Sequence, residues 1–186
     1  MLLYSLLFLT GYKDISIRDI KNFRQLNGKC AGHPEFGHIS GIETTTGPLG
    51  QGLGNAVGMA LMERLLANEF GNKMCNHFTY VIASDGDLME GISHEAASFA
   101  GHQKLNKLIV FFDDNGISID GPVKLSNSEK TIDRFKSYNW NTIKINGHKV
   151  DEIEKAIKKA QKSSKPTIIS CKTKIGYGSP NKQGCL

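Results

Sequence analysis

The chain has 186 residues, which is enough for one domain with a sizeable hydrophobic core. Its formal net charge is +5, and the lysines that carry most of it are dispersed along the chain. The sequence has no basic run and no arginine-rich helix, so we predict no nucleic-acid partner. The positive charge is compatible with phosphorylated substrates, but solubility alone can account for it.

The cysteines and the apolar start of the chain favour a reduced, non-membrane environment. Cys30, Cys75, Cys171 and Cys185 form no Cys-x-x-Cys pair and no zinc spacing, which favours free thiols in the cytoplasm. Residues 1–9 are apolar, but they are too few to span a bilayer and lack the basic segment of a signal peptide. We interpret them as a buried helix, and we predict no membrane partner.

The first half of the chain is predicted to place a long loop between two helices. Residues 14–26 predict a short helix with an extension, and residues 28–54 predict a loop rich in Gly, Pro and Thr. In residues 55–70 apolar side chains recur every 3.6 residues, which predicts a helix that ends at Gly71. Thr79–Ala83 is a continuous apolar run that predicts a strand, followed by a turn at residues 84–86.

The second half alternates helices with strands. Helices are predicted at residues 92–105 and 150–162, and strands at residues 108–112, 142–145 and 167–171. Unbroken apolar strands separated by helices indicate an α/β fold, with a parallel sheet and helices on both faces, in one domain over residues 1–186. In such sheets ligands bind beyond the carboxyl ends of the strands.

Two polar side chains follow neighbouring predicted strands. Asp85 comes after the strand at residues 79–83, and Asn115 follows the next strand, thirty positions later. One strand–helix–strand unit separates them, so the two side chains can lie side by side at the same sheet edge. A carboxylate, an amide oxygen and a backbone carbonyl are hard ligands that suit Mg²⁺ or Ca²⁺ rather than zinc. Gly86 allows a diphosphate to approach the backbone closely.

This pair resembles the thiamine-diphosphate signature, in which Gly-Asp-Gly is followed about thirty residues later by Asn. Ser84 stands where the signature has its first glycine, and we expect this small side chain to be tolerated. The resemblance extends to transketolases over nearly the whole chain. The matching runs are residues 23–26 (FRQL), 32–35 (GHPE), 44–52 (TTTGPLGQG), 85–93 (DGDLMEGIS), 113–121 (DDNGISIDG) and 175–182 (IGYGSPNK).

The resemblance to transketolases implies thiamine diphosphate with Mg²⁺, or Ca²⁺, as cofactors. Asp85, Asn115 and the backbone carbonyl of Ile117 would hold the metal. Gly86 would contact the diphosphate, and Asn115 would belong to the cofactor contacts as well.

The same resemblance implies roles for the loop and its surroundings. Gly47, Pro48 and Leu49 would lie against the thiamine rings. His33 would reach the sugar hydroxyl groups near the reacting carbon and is the candidate catalytic residue. Glu90 would lie near a dimer interface and couple two sites.

Several residues also have ordinary structural interpretations. His33 can be a loop histidine bonded to backbone, and Glu90 can simply occupy the first turn of a helix. Residues 47–54 partly resemble a dinucleotide-binding glycine loop, but no predicted strand precedes them. We expect Trp140 in the core, and surface or structural roles for His38, His77, His94, His102 and His148.

Transketolases carry further site residues before and after the segment that resembles this chain, so we expect a domain truncated at both ends. The implied function is transfer of a two-carbon ketol unit from a ketose phosphate to an aldose phosphate in the pentose phosphate pathway. It would require a homodimer or a chain that carries the pyrimidine-binding domain, and the isolated chain is expected to be inactive. The alternatives are a non-catalytic remnant and another thiamine enzyme, such as a deoxyxylulose-phosphate synthase.

Overall fold

The computed structural model describes residues 1–119 and 121–185. Within them a parallel sheet has the strand order β1-β2-β6-β5. Its strands are β1 (Thr79–Ala83), β2 (Leu108–Asp114), β5 (Asn141–Asn146) and β6 (Thr167–Lys172), and β3 (Ile117–Ser118) and β4 (Gly121–Pro122) form a small antiparallel ribbon. Asp120, which is part of the 113–121 run, and Leu186, the last residue of the predicted domain, lie outside the described residues.

Seven α-helices accompany these strands in the described part of the chain, together with a short 3₁₀ helix at Val123–Leu125. They are α1 (Leu2–Leu9), α2 (Ile17–Lys21), α3 (Gln51–Phe70), α4 (Asp85–Met89), α5 (Gly91–His102), α6 (Thr131–Ser137) and α7 (Val150–Ala160). The prediction of an α/β fold with a parallel sheet is confirmed.

Each face of the sheet has its own helical cover. On one face α3, α5 and α6 pack against the sheet through buried residues that include Ala56, Ala97 and Phe135, with Trp140 in the same cluster. On the other face α7 places Ala156 and Ala160 against the sheet. β6 is buried on both sides over its first five residues, as the unbroken apolar run predicted.

The N-terminal segment forms a separate cluster with α1, α2 and part of the long loop. Tyr4 and Leu7 of α1 are buried there, and the Tyr4 hydroxyl donates to the carbonyl of Ala31 at 2.8 Å. The prediction that residues 1–9 are a buried helix is correct for the helix and wrong for the burial. Leu2 is 56 % exposed and Leu9 is 77 % exposed, because the cluster covers only one side of α1.

Two local predictions are corrected by the structure, and one helix was not predicted. Helix α3 begins at Gln51 instead of residue 55, because Gly50 adopts a left-handed φ of 79° and ends the loop there. Residues 84–86 are not a plain turn, since Asp85 already begins α4. Helix α6 was not predicted at all.

Arg134 explains how the short helix α6 is held in place. Its guanidinium donates to the carbonyl of Leu88 at 2.6 Å and to Nε2 of His94 at 2.7 Å, and it also pairs with Glu129. Because arginine can only donate, Nε2 of His94 is the unprotonated ring nitrogen. The contacts of this one side chain therefore tie α6 to the end of α4 and to α5.

Candidate functional site

The carboxyl ends of β1 and β2 bring together segments that lie far apart in the sequence. The two strands are parallel neighbours with Ala83 opposite Phe112, so the residues after both strands emerge at one edge of the sheet. Helix α4 packs against β3 beside that edge. A Cβ built on Gly86 would lie 3.8 Å from the hydroxyl of Ser118. Asp85, Gly86 and the segment around Asn115 thus share one edge.

Asp85 carries an unusual carboxyl group. The residue is only 9 % exposed, and its Oδ2 is buried with no hydrogen-bond partner among the described residues. Burial, together with the nearby charges of Asp114 and Asp113, raises the pKa of Asp85 from 3.8 to about 6. Keeping this carboxyl group ionised among other carboxylates is unfavourable unless a cation accompanies it.

The neighbouring acids have partners of their own. Asp113 accepts from the Thr173 hydroxyl, and Asp114 accepts from the Ser170 hydroxyl at 3.0 Å and from the Lys172 ammonium at 3.3 Å. Lys172 is also the charge that partly offsets the raised pKa of Asp85. The unsatisfied carboxylate oxygen at this edge therefore belongs to Asp85.

Asn115 is held in a defined orientation by a local turn. Its Oδ1 accepts from the backbone N–H of Ile117 at 2.8 Å, and its Nδ2 donates to Asp113 at 3.0 Å. The amide oxygen has a second lone pair, which can still coordinate a cation. Asn115 and Ile117 are both half-buried, and β3, which contains Ile117, packs against α4.

The residues present fit a hard divalent cation that also binds a phosphate ligand. In residues 1–119 and 121–185 no group of three or more His, Cys, Asp and Glu side chains could hold a metal. The set at this edge has one carboxylate, one amide oxygen and one carbonyl. Mg²⁺ is typically held by one or two carboxylates, with the remaining positions filled by substrate phosphates and water.

Ser84 fits the position where a glycine was expected. Its φ is −104°, a conformation open to any residue, and its hydroxyl caps α4 by accepting from the Asp87 N–H at 3.4 Å. The Asp87 carboxylate completes a capping box by accepting from the Ser84 N–H at 2.8 Å. The substitution therefore adds a helix cap without backbone strain.

The 47–50 loop touches residues 84–87 at the start of α4, which we call the α4 turn. The contact is between Leu49 and Gly86. A Cβ on Gly86 would lie 3.2 Å from Leu49 Cδ1, so glycine is what permits this contact. A Cβ on Gly47 would lie 3.2 Å from Cγ of His33, whose ring packs over this glycine. The Thr46 N–H donates to the carbonyl of Pro34 at 3.1 Å. This bond fixes the segment around His33 beside the 47–50 loop.

A cleft of about 900 Å³ opens beside these loops and along strand β1. Its lining includes His33, Gly47, Pro48 and Asp87 but not Asp85, Gly86 or Asn115. This volume lies in the range of small-molecule sites. Glu90 lies outside this cleft. It is exposed at the start of α5, beside a second depression that Pro48 and Leu49 also line. Sequence reasoning missed the role of Asp87 in joining these loops, although the Ser-x-x-Asp spacing of a capping box was a usable signal.

Comparison with known proteins identifies the family. Residues 1–186 match the family described as "Transketolase, thiamine diphosphate binding domain". The chain belongs to this family. Thiamine diphosphate is therefore the cofactor of this transketolase domain, as predicted.

Curated transketolases resemble the chain over almost its full length. It is 52 % identical over 184 residues to the transketolase of Sinorhizobium medicae, covering 99 % of this chain and 26 % of that protein. It is 58 % identical over 188 residues to transketolase 1 of Vibrio parahaemolyticus, covering 99 % of this chain and 28 % of that protein. The chain thus spans about a quarter of the length of these relatives.

Solved transketolase structures share the fold. The Campylobacter jejuni enzyme superposes with a TM-score of 0.92 at 46 % identity, over 98 % of this chain and 29 % of that one. A Pichia stipitis transketolase in complex with sedoheptulose-7-phosphate gives a TM-score of 0.90 at 45 % identity, over 98 % of this chain and 28 % of that one. These matches do not favour the interpretation as a different thiamine enzyme or as a dinucleotide loop. In the described residues, no helix combines the length and apolarity needed to cross a membrane.

Proposed function

We propose that residues 1–186 form one domain that binds the metal–diphosphate end of thiamine diphosphate. Together with the remaining parts of a transketolase, it would transfer a two-carbon ketol unit from a ketose phosphate to an aldose phosphate in the pentose phosphate pathway. The observation that carries this proposal is the unsatisfied, buried Oδ2 of Asp85 at the carboxyl ends of β1 and β2. Bound thiamine diphosphate would supply the carbanion chemistry of the reaction.

The metal in this proposal is Mg²⁺, with Ca²⁺ as the alternative. Asp85, Asn115 and the carbonyl of Ile117 would hold it through oxygen atoms. The metal would supply the positive charge that the Asp85 carboxylate lacks among its acidic neighbours. Asp113 and Asp114 would remain tied to Thr173, Ser170 and Lys172 and add negative charge around the cation.

Gly86 and the 47–49 segment would contact the cofactor. A diphosphate oxygen could approach the backbone at Gly86 because no side chain intervenes. Gly47, Pro48 and Leu49 would lie against the thiamine rings, supported by the contact of Leu49 with Gly86 and by the cleft at Gly47 and Pro48. Asn115 would belong to the cofactor contacts through the shared metal.

His33 is proposed to bind the sugar hydroxyl groups near the reacting carbon. Its ring is exposed, packs over Gly47 and lines the cleft, so it can meet a substrate placed next to the thiamine rings. Its ring nitrogens can donate and accept hydrogen bonds, which suits a polyhydroxylated substrate. The phosphate end of the sugar would be bound by other parts of the complete enzyme.

The proposed partner is a second copy or a chain that carries the pyrimidine-binding domain. Exposed apolar side chains support a contact surface near Glu90, since Leu49 is 45 % exposed and Ile92 is 44 % exposed. Glu90 would lie at this interface. The four free cysteines support a reducing, cytoplasmic location.

Titration calorimetry with thiamine diphosphate and Mg²⁺ tests the binding proposal. We expect the wild-type chain to bind, and Asp85→Asn to weaken binding by more than about tenfold, because it removes the charged metal ligand. Asp151→Asn is the matched control, since the Asp151 side chain is 70 % exposed on α7. The proposal fails if the wild type does not bind, or if the Asp85 and Asp151 variants behave alike.

Ketol transfer is tested separately by reconstitution. The chain is mixed with a separately made transketolase pyrimidine-domain chain, thiamine diphosphate, Mg²⁺, a ketose phosphate and an aldose phosphate. We expect product formation that requires every component. A mixture that binds the cofactor but never transfers the ketol unit would contradict the catalytic part of the proposal and leave cofactor binding standing.

A further inference from the structure

Asp87 connects two parts of the candidate site that are distant in the sequence. Its Oδ2 accepts from the backbone N–H of Ser84 at 2.8 Å and from the Ser84 hydroxyl at 2.6 Å. Its Oδ1 accepts from the backbone N–H of Gly50 at 3.2 Å, which lies 37 residues away along the chain. One carboxylate thus holds the α4 turn with one oxygen and the end of the 47–50 loop with the other.

The hydrogen bond to Gly50 places the Asp87 carboxylate at the start of α3. Gly50 is the N-cap of this 20-residue helix, and no side-chain cap hydrogen bond is present there. The Asp87 carboxylate therefore places negative charge at the amino ends of α3 and α4, where the helix dipoles favour it. Gly50 is also enclosed, because a Cβ there would lie within 2.9 Å of Glu90, Ile92 and Ser93.

We propose that Asp87 is a positioning residue that fixes the 47–50 loop relative to the α4 turn. This inference rests on the proposed function, in which the loop contacts the thiamine rings and the turn contacts the diphosphate. Each carboxylate oxygen of Asp87 accepts from a protein donor in the loop or the turn, so its proposed effect is exerted through these two segments. Its effect is to keep the ring-binding and diphosphate-binding segments at a set separation.

Two probes separate this role from metal binding. Inorganic pyrophosphate with Mg²⁺ reports on the diphosphate end alone, and thiamine diphosphate with Mg²⁺ reports on both ends. In Asp87→Asn and Asp87→Ala we expect affinity for thiamine diphosphate to fall about tenfold, the scale of one charge-assisted hydrogen bond. Affinity for pyrophosphate should fall by a smaller factor, because this probe does not reach the 47–50 loop and Asp85 and Asn115 remain, although Asp87 also caps α4 beside them.

The control is Asp19→Ala, which breaks a capping box of the same kind at a remote helix. Asp19 caps α2 with Ser16, whose N–H donates to Asp19 Oδ2 at 2.9 Å. Hydrogen exchange of the Gly50 amide provides a readout that does not depend on any ligand. We expect it to accelerate at least about tenfold in Asp87→Ala and to be unchanged in Asp19→Ala.

The outcomes distinguish the two proposals. If the wild type binds neither probe, the proposed function fails. If the wild type binds both, the role of Asp87 is overturned when its variants lose both probes equally, lose neither, or leave Gly50 exchange unchanged. Asp87→Asn keeps one oxygen acceptor and the side-chain shape, so it supplies the binding data if Asp87→Ala does not fold.

Discussion

The Asp85 carboxyl group lies where its charge is poorly compensated by the protein. Its raised pKa of about 6 means that the folded chain binds its proton more tightly than the unfolded chain does. The ionised group therefore destabilises the fold above about pH 6, and this penalty disappears as the pH falls below the unfolded value of 3.8. In the proposed function, the bound metal offsets this cost in stability.

Asp85→Asn tests this cost in stability at the level of one residue. Without added metal, we expect the variant to be about 1–3 kcal/mol more stable than the wild type at about pH 8, since it removes an uncompensated charge. The gain should shrink to well under about 1 kcal/mol near pH 4, where Asp85 is protonated in the folded chain and partly protonated in the unfolded chain. Urea denaturation at both pH values measures it. An equal gain at both pH values, or a loss at pH 8, would contradict this account.

The sequence predicted the strands that Asp85 and Asn115 follow, but not the contacts that side chains make at the ends of those strands. Asp85 and Asn115 could be assigned to one sheet edge because both follow apolar runs that form neighbouring strands. The link from Asp87 to Gly50 was not predictable from spacing. It joins positions 37 residues apart and depends on how α3 and α4 meet in the folded chain.

Strands and long helices were predictable because their buried apolar side chains follow a regular pattern along the sequence. The bounds of β1 were predicted without error, and those of β5 differ by one residue at each end. Short helices lack such a pattern. Helix α4 has five residues and α6 has seven, so each has too few turns to display a period and depends on caps or tertiary contacts.

Arg134→Ala tests whether tertiary contacts hold α6. The loss of its hydrogen bonds to Leu88 and His94 should destabilise the chain by about 3 kcal/mol, because a largely buried charge-assisted network is broken. Lys136→Ala lies on the same helix and removes an exposed pair with Asp133, so we expect less than about 1 kcal/mol. Urea denaturation compares the two, and similar losses would argue against the role of Arg134.

The site proposed for the cofactor is built from two separate segments, the 47–50 loop and the residues that follow β1 and β2. Ligand binding to the folded state alone must stabilise it. With thiamine diphosphate and Mg²⁺ at about a hundred times the dissociation constant, stabilisation of roughly 2.7 kcal/mol is expected, or about 5–10 °C in melting temperature. Thermal denaturation measures the shift.

Metal removal is the corresponding control for the whole molecule. A chelator added with thiamine diphosphate should return the melting temperature to that of the chain without ligand, because the diphosphate then meets Asp85 without a bridging cation. Thiamine diphosphate alone should shift it little. A full shift in the presence of the chelator would show that binding does not need the metal.

At this scale the fold class was predictable and the strand order was not. Apolar strands alternating with helices indicate a parallel sheet, but right-handed crossovers allow several arrangements of the same strands. The separate cluster around Tyr4 and Ile39 was also missed, since its members are scattered through a loop with no regular period.

The strand order has a consequence for how the protein is made. Strand β6 lies between β2 and β5, and it is the last strand of the sheet in sequence. While the ribosome is still adding residues 167–172, β2 and β5 have no central neighbour to pair with. During synthesis the apolar strand β2 therefore has one unpaired edge until β6, more than fifty residues later, has emerged. In this interval chaperones would have that edge to bind.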